Sequence, residues 1–228
     1  MLDRLDEGLW TVTRPLKVLG AVPMASRMTV ARLDDGDGDG LLLHSPVRLD
    51  AELRAALDAL GPVRHVVAPN RMHHLFCDDY RAAYPGARLH GAPGVAAKRP
   101  DLGPLEELGD EPPAAWAGRL DQAVVRGIPM LNEVAFLHRA SGTLVLADLA
   151  ANGGPEDPAA LRWWLRLNRA YGRLATPLEV RLLCRDRAAA RASLGRVLGW
   201  GFDRVVVGHG AVVGRDGGRL AREAFAWA

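Results

Sequence analysis

The run VVAPNRMHHLF, residues 66–76, decides how the rest of the chain reads. Its first residues continue VRHVVAP, residues 63–69, a β-branched stretch of the kind a buried strand needs. Proline has no N–H to give to a ladder, so Pro69 closes the strand. Two adjacent histidines, His73 and His74, follow at once, where a helical pattern (HHLFCDDYRAAY, residues 73–84) begins. Loops just beyond strand ends are where rigid scaffolds mount their chemistry. The question is whether these imidazoles hold a metal.

The same arrangement recurs along the chain. LLLHSP, residues 41–46, places His44 and Ser45 behind an apolar strand. TLVLADL, residues 143–149, runs into Asp148, and RVVVGHG, residues 204–210, runs into His209. LWTVT (9–13) and MTVARL (28–33) are earlier strands, and DDGDGDG (34–40) is a strong turn signal. That acidic turn looks like a calcium loop, but no glutamate stands at the later position such a loop requires. LDAELRAALDAL (49–60) is an amphipathic helix with acidic residues early, matched to the helix dipole. In the second half, DQAVVRGIP (121–129), EVAFLHR (133–139) and TLVLADL are strands, the last two joined by a hairpin turn, Ala140-Ser141-Gly142. Helices follow at 158–172, near 186–199 and at 219–228, while 101–119 reads as a Pro- and Gly-rich loop. This order predicts an α/β protein of two mixed sheets packed face to face with helices outside. No linker divides it, so residues 1–228 read as one domain.

Composition excludes several classes. Of the 228 residues, 49% are apolar and 25% charged, ordinary for a chain that buries a core. The 29 Lys and Arg against 27 Asp and Glu are too balanced for a nucleic-acid protein. Cys77 and Cys184 are isolated and form neither a CxxC pair nor a disulfide framework. MLDRLDEGLW is acidic and lacks a long apolar run, so it is not expected to be a signal peptide, and no apolar run in the sequence is long enough for a transmembrane helix. A cytoplasmic protein acting on a small molecule, without nucleic-acid or membrane partners, is the expectation; nothing in the patterning specifies an oligomeric state. There is no G-x-S-x-G elbow, phosphate loop or G-x-G-x-x-G, so serine-hydrolase and nucleotide-binding readings lack support.

Four of these segments, LLLHSP, VVAPNRMHHL, EVAFLHRASGTLVLADL and VVVGHG, together resemble the metallo-β-lactamase superfamily. LLLHSP stands where the superfamily has an LIDTG-like turn, and VVAPNRMHHL where it has H-x-H-x-D-H. The hairpin resembles the segment that supplies a bridging aspartate, and VVVGHG the segment that supplies the last histidine. LLLHSP, PNRMHHLF, KRPDL, WAGRLDQ and the Ala-Asp pair look like an uncharacterised family at the edge of that superfamily. The resemblance implies a four-layer αββα sandwich and a divalent metal.

This chain departs from the pattern in one half of the site. Laid on H-x-H-x-D-H, it reads Asn70, Arg71, Met72, His73, His74, Leu75. Asn70 and Met72 fall on the first metal's histidines, and its third ligand would fall near Met130. Amide and thioether do not replace imidazole for zinc, so the first metal is expected to be absent. His74 falls on the motif's aspartate, Asp148 on the bridging aspartate and His209 on the last histidine. Two histidines and a carboxylate are enough for one ion with open positions. The expectation is therefore a mononuclear site of His74, Asp148 and His209, with zinc first, iron or manganese as alternatives, or no metal at all. His73 takes the place of His74 if the helix starts one residue differently. His44 is a further candidate ligand, and His73 or His44 a proton shuttle. Asn70, Lys98 and Trp164 are candidate substrate contacts, with the basic pair Lys98-Arg99 facing an anion and the Trp/Arg helix acting as a lid. The functional expectation is a metal-dependent hydrolase-like enzyme, or an iron oxidoreductase on the same ligands. The alternative is a metal-free relative that binds a small molecule or a partner.

Overall fold

Leu41, Leu42 and Leu43 are all buried, so the strand that carries them must be covered on both faces. The computed structural model, which describes residues 1–18, 22–34 and 39–228, shows how. Seven strands form the first sheet in sequence order: β1 (Asp3–Asp6), β2 (Leu9–Val18), β3 (Val22–Asp34), β4 (Asp39–His44), β5 (Val63–Ala68), β6 (Arg88–Gly91) and β7 (Glu106–Glu107). The first four pair antiparallel and the remainder parallel. The second sheet orders β8 (Leu120–Val124), β9 (Val134–His138), β10 (Thr143–Val145) and β11 (Arg204–Val206) as β11-β10-β9-β8. Only its β10–β11 pair is parallel.

The second sheet shows why a sandwich forms. Side chains alternate across a strand. Leu120, Val124, Val134, Phe136, Val145 and Val206 turn inward and share one core with Leu9, Val30 and Leu43 of the first sheet. Ala123, Ala135, Leu144 and Val205 turn outward and need a second cover. The helices are α1 (Ala51–Leu60), α2 (Cys77–Ala83), α3 (Val95–Lys98), α4 (Ala159–Leu167), α5 (Leu178–Leu182), α6 (Arg187–Leu198) and α7 (Gly217–Phe225). Leu194 and Val197 of α6 and Ala221 and Phe225 of α7 supply that cover. On the first sheet, Leu53 and Leu57 of α1 and Cys77 and Tyr80 of α2 join the core. Asp50 starts α1 by accepting Leu53 N–H at 2.7 Å, one of the donors a helix leaves unpaired. The result is a four-layer αββα sandwich. Among the described residues no helix is long and apolar enough to cross a membrane.

Local expectations change in places. The first hairpin is much longer than LWTVT and MTVARL suggest, because β2 and β3 pair from Leu9–Ala31 to Val18–Val22. The 34–40 turn lies partly outside the described residues. β1, β7 and α5 are too short to show a period. The helix expected from His73 begins only at Cys77, which leaves both histidines in a turn. The 101–119 loop is pinned by Trp116, wholly buried and edge-on to His65 and His90. Its Nε1 donates to Gln122 Oε1 at 3.0 Å, and Gln122 Nε2 donates to the carbonyls of Gly109 and Glu111.

Removing so large a buried side chain leaves a cavity that costs about 3–5 kcal/mol. Trp116→Ala is expected to lower the urea midpoint accordingly; a midpoint equal to the parent's would show that this residue does not hold the loop.

Candidate metal centre

Four strand ends meet at one edge of the sandwich. β4 and β5, a parallel pair in the first sheet, point their C-terminal ends the same way, and so do β10 and β11 in the second. Ser45, His73, Asp148 and His209 follow these strands. Backbone bonds join the sheets here: Arg27 N–H to Gly208 O at 2.9 Å, Val134 N–H to Pro69 O at 2.8 Å, and Arg71 N–H to Leu131 O at 3.1 Å. Gly208 must be glycine, since a Cβ there would lie 2.9 Å from both Ala147 O and His73 Cε1.

His73, not His74, enters the site. Asn70 explains the change from the expected ligand. Its Oδ1 accepts the N–H of Met72 and of His73, both at 2.8 Å, and curls the chain into an Asx-type turn. This aims His73 at the sheet seam and turns His74 away from it, into a separate buried position. His73 Nε2 lies 3.1 Å from Asp148 Oδ1 and 3.2 Å from His209 Nε2, and His209 Nε2 lies 3.1 Å from the same Asp148 oxygen. The three side chains are 8%, 19% and 12% exposed, so the cluster is reached from solvent but sheltered.

The outer nitrogens fix the tautomers. His209 Nδ1 lies 2.7 Å from Ala25 O, an acceptor only, so Nδ1 carries the proton. Ser45 Oγ donates its single hydrogen to Arg27 O at 3.0 Å. At 2.5 Å it can then only accept from His73 Nδ1. Both neutral imidazoles therefore turn Nε2 lone pairs toward one carboxylate oxygen. Three electron pairs converge, and a cation is what relieves them. Ligand atoms around one ion with bonds of about 2.0–2.2 Å lie roughly 3.0–3.6 Å apart, and the observed spacings of 3.1–3.2 Å fall in that window. The three residues fit a divalent ion. Without one, a proton does the same work. Burial alone would raise the Asp148 carboxyl, but the charges of His73 and His209 and their hydrogen bonds hold it well below the usual range. Burial alone would lower the His73 imidazolium, but Asp148 outweighs it and the net shift is upward.

Outside these ligands lies Glu133, at the head of the β9 segment, which sequence reasoning did not single out. It is wholly buried. It accepts Ala147 N–H at 2.8 Å, Asp148 N–H at 2.7 Å, Leu149 N–H at 3.0 Å and Asn70 Nδ2 at 2.9 Å. Burial and then the Asp148 charge push its carboxyl up to about 7, while those N–H donors pull the other way. Asn70 Nδ2 also donates to Asp148 Oδ2 at 2.9 Å, which leaves Oδ1 for the ion. Asn70, expected to touch substrate, is instead fully buried and committed to protein. Arg27, also unread in the sequence, donates to the carbonyls of Val207 and Gly210 on either side of His209. Ser45 adopts φ 61°, a left-handed conformation rare for a residue with a side chain and typical of functional turns.

The other candidates lie elsewhere. His74 is buried, and its Nδ1 accepts from Arg99 Nη1 at 3.1 Å. Burial, then Lys98 and Arg99, push it down to about 4. His44 is buried edge-on to Phe136, with Nε2 unpaired among the described residues. Burial and then His73 push it down to about 3, which does not suit a proton shuttle near neutral pH. Among the described residues Lys98 meets no carboxylate: its Nζ donates to Arg71 O at 2.6 Å. Arg99 reaches His74 O and ion-pairs with Asp78 and Asp101. The basic pair braces the histidine turn from outside. Trp164 does line a cavity of about 430 Å³ above the cluster. His73, Asp148 and His209 lie on that cavity's wall with Met72, Phe76, Met130 and Leu183.

Residues 6–166 match the family described as Domain of unknown function (DUF4336). The chain belongs to the DUF4336 family. His73 and Asp148 lie within the matched span of this DUF4336 protein, and His209 beyond it. Its fold is that of the metallo-β-lactamases. The mono-zinc form of the metallo-β-lactamase FIM-1 from Pseudomonas aeruginosa is 12% identical, covering 99% of this chain and 94% of that one, with a TM-score of 0.65. The metallo-β-lactamase from Erythrobacter litoralis, with β-mercaptoethanol in its active site, is 15% identical over 100% and 96% of the chains, with a TM-score of 0.66. The metallo-β-lactamase from Pontibacter korlensis is 12% identical over 100% and 97%, with a TM-score of 0.65. At such identities the likeness is one of fold. No curated protein matches the chain.

Zinc titration followed by calorimetry should separate the two histidines. His73→Ala and His209→Ala are expected to abolish tight binding and His74→Ala to keep it; retention in His73→Ala would rule out the assigned ligand set. Ser45→Ala removes the partner that fixes the His73 tautomer and is expected to weaken binding about 10–100-fold. The proton competes for His73 Nε2 and is held more tightly than in a free imidazole. Affinity should therefore fall as pH is lowered, with the fall beginning above pH 6.5.

Proposed function

We propose that this DUF4336 protein is a metal-dependent hydrolase using one divalent ion, zinc first, held by His73, Asp148 and His209. One observation carries the reading. Two Nε2 lone pairs and one carboxylate oxygen converge within 3.2 Å while both Nδ1 atoms are tied to protein acceptors. Three protein ligands leave coordination positions open, as catalytic sites require. Bound there, the ion supplies Lewis acidity toward a carbonyl or phosphoryl oxygen and toward water.

The chain's own residues supply the rest. Ser45 and the Ala25 carbonyl hold the imidazoles in the ligating tautomer. Asn70 and Glu133 hold Asp148 with Oδ1 forward. The apolar wall of the cavity binds the substrate body and limits bulk water, which strengthens electrostatic interactions inside. His44 and His74, both held neutral, take no part in proton transfer; this leaves solvent at the mouth as the proton's exit.

The rival reading is a metal-free binding protein. It is favoured by Asn70 and Met72 standing at expected ligand positions, and by a cavity walled mainly by apolar residues.

Elemental analysis of protein purified without a histidine tag decides between them, with p-nitrophenyl acyl and phosphoryl esters as turnover probes. We expect about one ion per chain, turnover lost to a chelator and restored by zinc, manganese or ferrous iron, and loss of both in a His73→Ala, His209→Ala variant. Protein that takes up no ion after incubation with each would leave the binding-protein reading standing alone.

A further inference from the structure

The cavity above the cluster carries a charge pattern that defines its ligand. Its wall contains no lysine or arginine among the described residues. The arginines of α4, expected as part of a lid, are engaged elsewhere: Arg162 donates to Pro155 O, and Arg166 lies 3.8 Å over the Tyr171 ring. Away from the metal ligands, the single charged residue on the wall is Glu179 of α5. No cation pairs with it among the described residues.

The remaining wall is apolar, and its rim is exposed. Met72, Leu75, Met130 and Leu183 line the cavity and are each more than 40% exposed. Leu16, Met24, Phe76 and Trp164 continue it inward. A volume near 430 Å³ suits a small molecule. Asn168 ties the backbones of α4 and α5 that carry Trp164 and Glu179: its Nδ2 donates to Trp164 O at 3.1 Å, and its Oδ1 accepts Glu179 N–H at 3.1 Å. An indole and a carboxylate without a cationic partner among the described residues, on a wall otherwise apolar away from the cluster, are groups that attract an ammonium.

We propose that this cavity binds an apolar small molecule carrying an ammonium group and no anionic group, with Glu179 as the residue that selects for the cation and against the anion. This rests on the cavity being the substrate site of the proposed hydrolase. It would make the substrates apolar amine-bearing esters or amides rather than carboxylates or phosphates.

The test is a displacement assay at pH 8 on chelator-treated protein, so that no ion binds the competitor directly. The probe is the neutral fluorophore N-phenyl-1-naphthylamine, displaced by octylamine, octanol or octanoate. Octylamine is expected to displace at the lowest concentration and octanoate at the highest. Glu179→Gln should shrink the octylamine-to-octanoate preference by about tenfold. Met130→Lys, which adds a cation at the exposed rim, should shift preference toward octanoate. Absence of probe binding by the parent, an octanoate affinity equal to that of octylamine, or an unchanged ratio in Glu179→Gln would each overturn the assignment. Metal-dependent turnover of neutral p-nitrophenyl hexanoate is measured in parallel. Its failure with the ranking intact would remove the hydrolase and leave the ligand class standing; turnover without the ranking would do the reverse.

Discussion

Asn70 uses its whole side chain inside the protein. Its carbonyl oxygen takes the N–H groups of Met72 and His73, and its amide nitrogen reaches both Glu133 and Asp148. These groups belong to both sheets, so one amide holds the seam of the sandwich and the geometry of the site together. Glu133 completes the hub by gathering three consecutive backbone N–H groups, those of Ala147, Asp148 and Leu149. A buried carboxylate is costly unless fully hydrogen-bonded, and its four donors make this one tolerable. Leaving such groups unpaired costs about 1–3 kcal/mol each, which ties the stability of the seam to the integrity of the candidate centre.

The segments on which the sequence resemblance rests have physical roles in the fold. KRPDL braces the histidine turn, through Lys98 on the Arg71 carbonyl and Arg99 on His74, Asp78 and Asp101. WAGRLDQ supplies Trp116 and Gln122, which pin the long loop beside β8. LLLHSP supplies Ser45, whose hydroxyl relays the Arg27 carbonyl to His73. Each of these side chains is hydrogen-bonded to protein. They support a candidate ligand set in which His73 stands in place of the His74 that the motif alignment suggests.

Much of the fold was legible because burial leaves periodic marks. Continuous apolar runs at 41–43 and 66–68 and alternating strands in the second half are direct consequences of two covered sheets. The short elements β1, β7 and α5 were not legible, since two to five residues carry no period. In the site, Asp148 and His209 were readable as polar residues closing apolar strands. Glu133 left a weaker trace, an acid at the head of a buried strand. Arg27 left none, because its partners lie 180 and 183 residues away, and Glu179 left none, because the cavity wall it joins is assembled from distant segments.

By itself the sequence determined that this is an α/β sandwich with its polar residues gathered at strand ends, because hydrophobic patterning is local and survives without neighbours. It also placed Asn70 and Met72 where the metallo-β-lactamase motif has histidines, since residue identity needs no coordinates. Only the tertiary structure decided between His73 and His74. Adjacent residues in a turn point in different directions, and which one faces inward depends on a cap by Asn70 that is itself held by Glu133 and Asp148, 63 and 78 residues away. The charge of the cavity was likewise a tertiary matter, because α4 and α5 meet the site only after the sheets have closed.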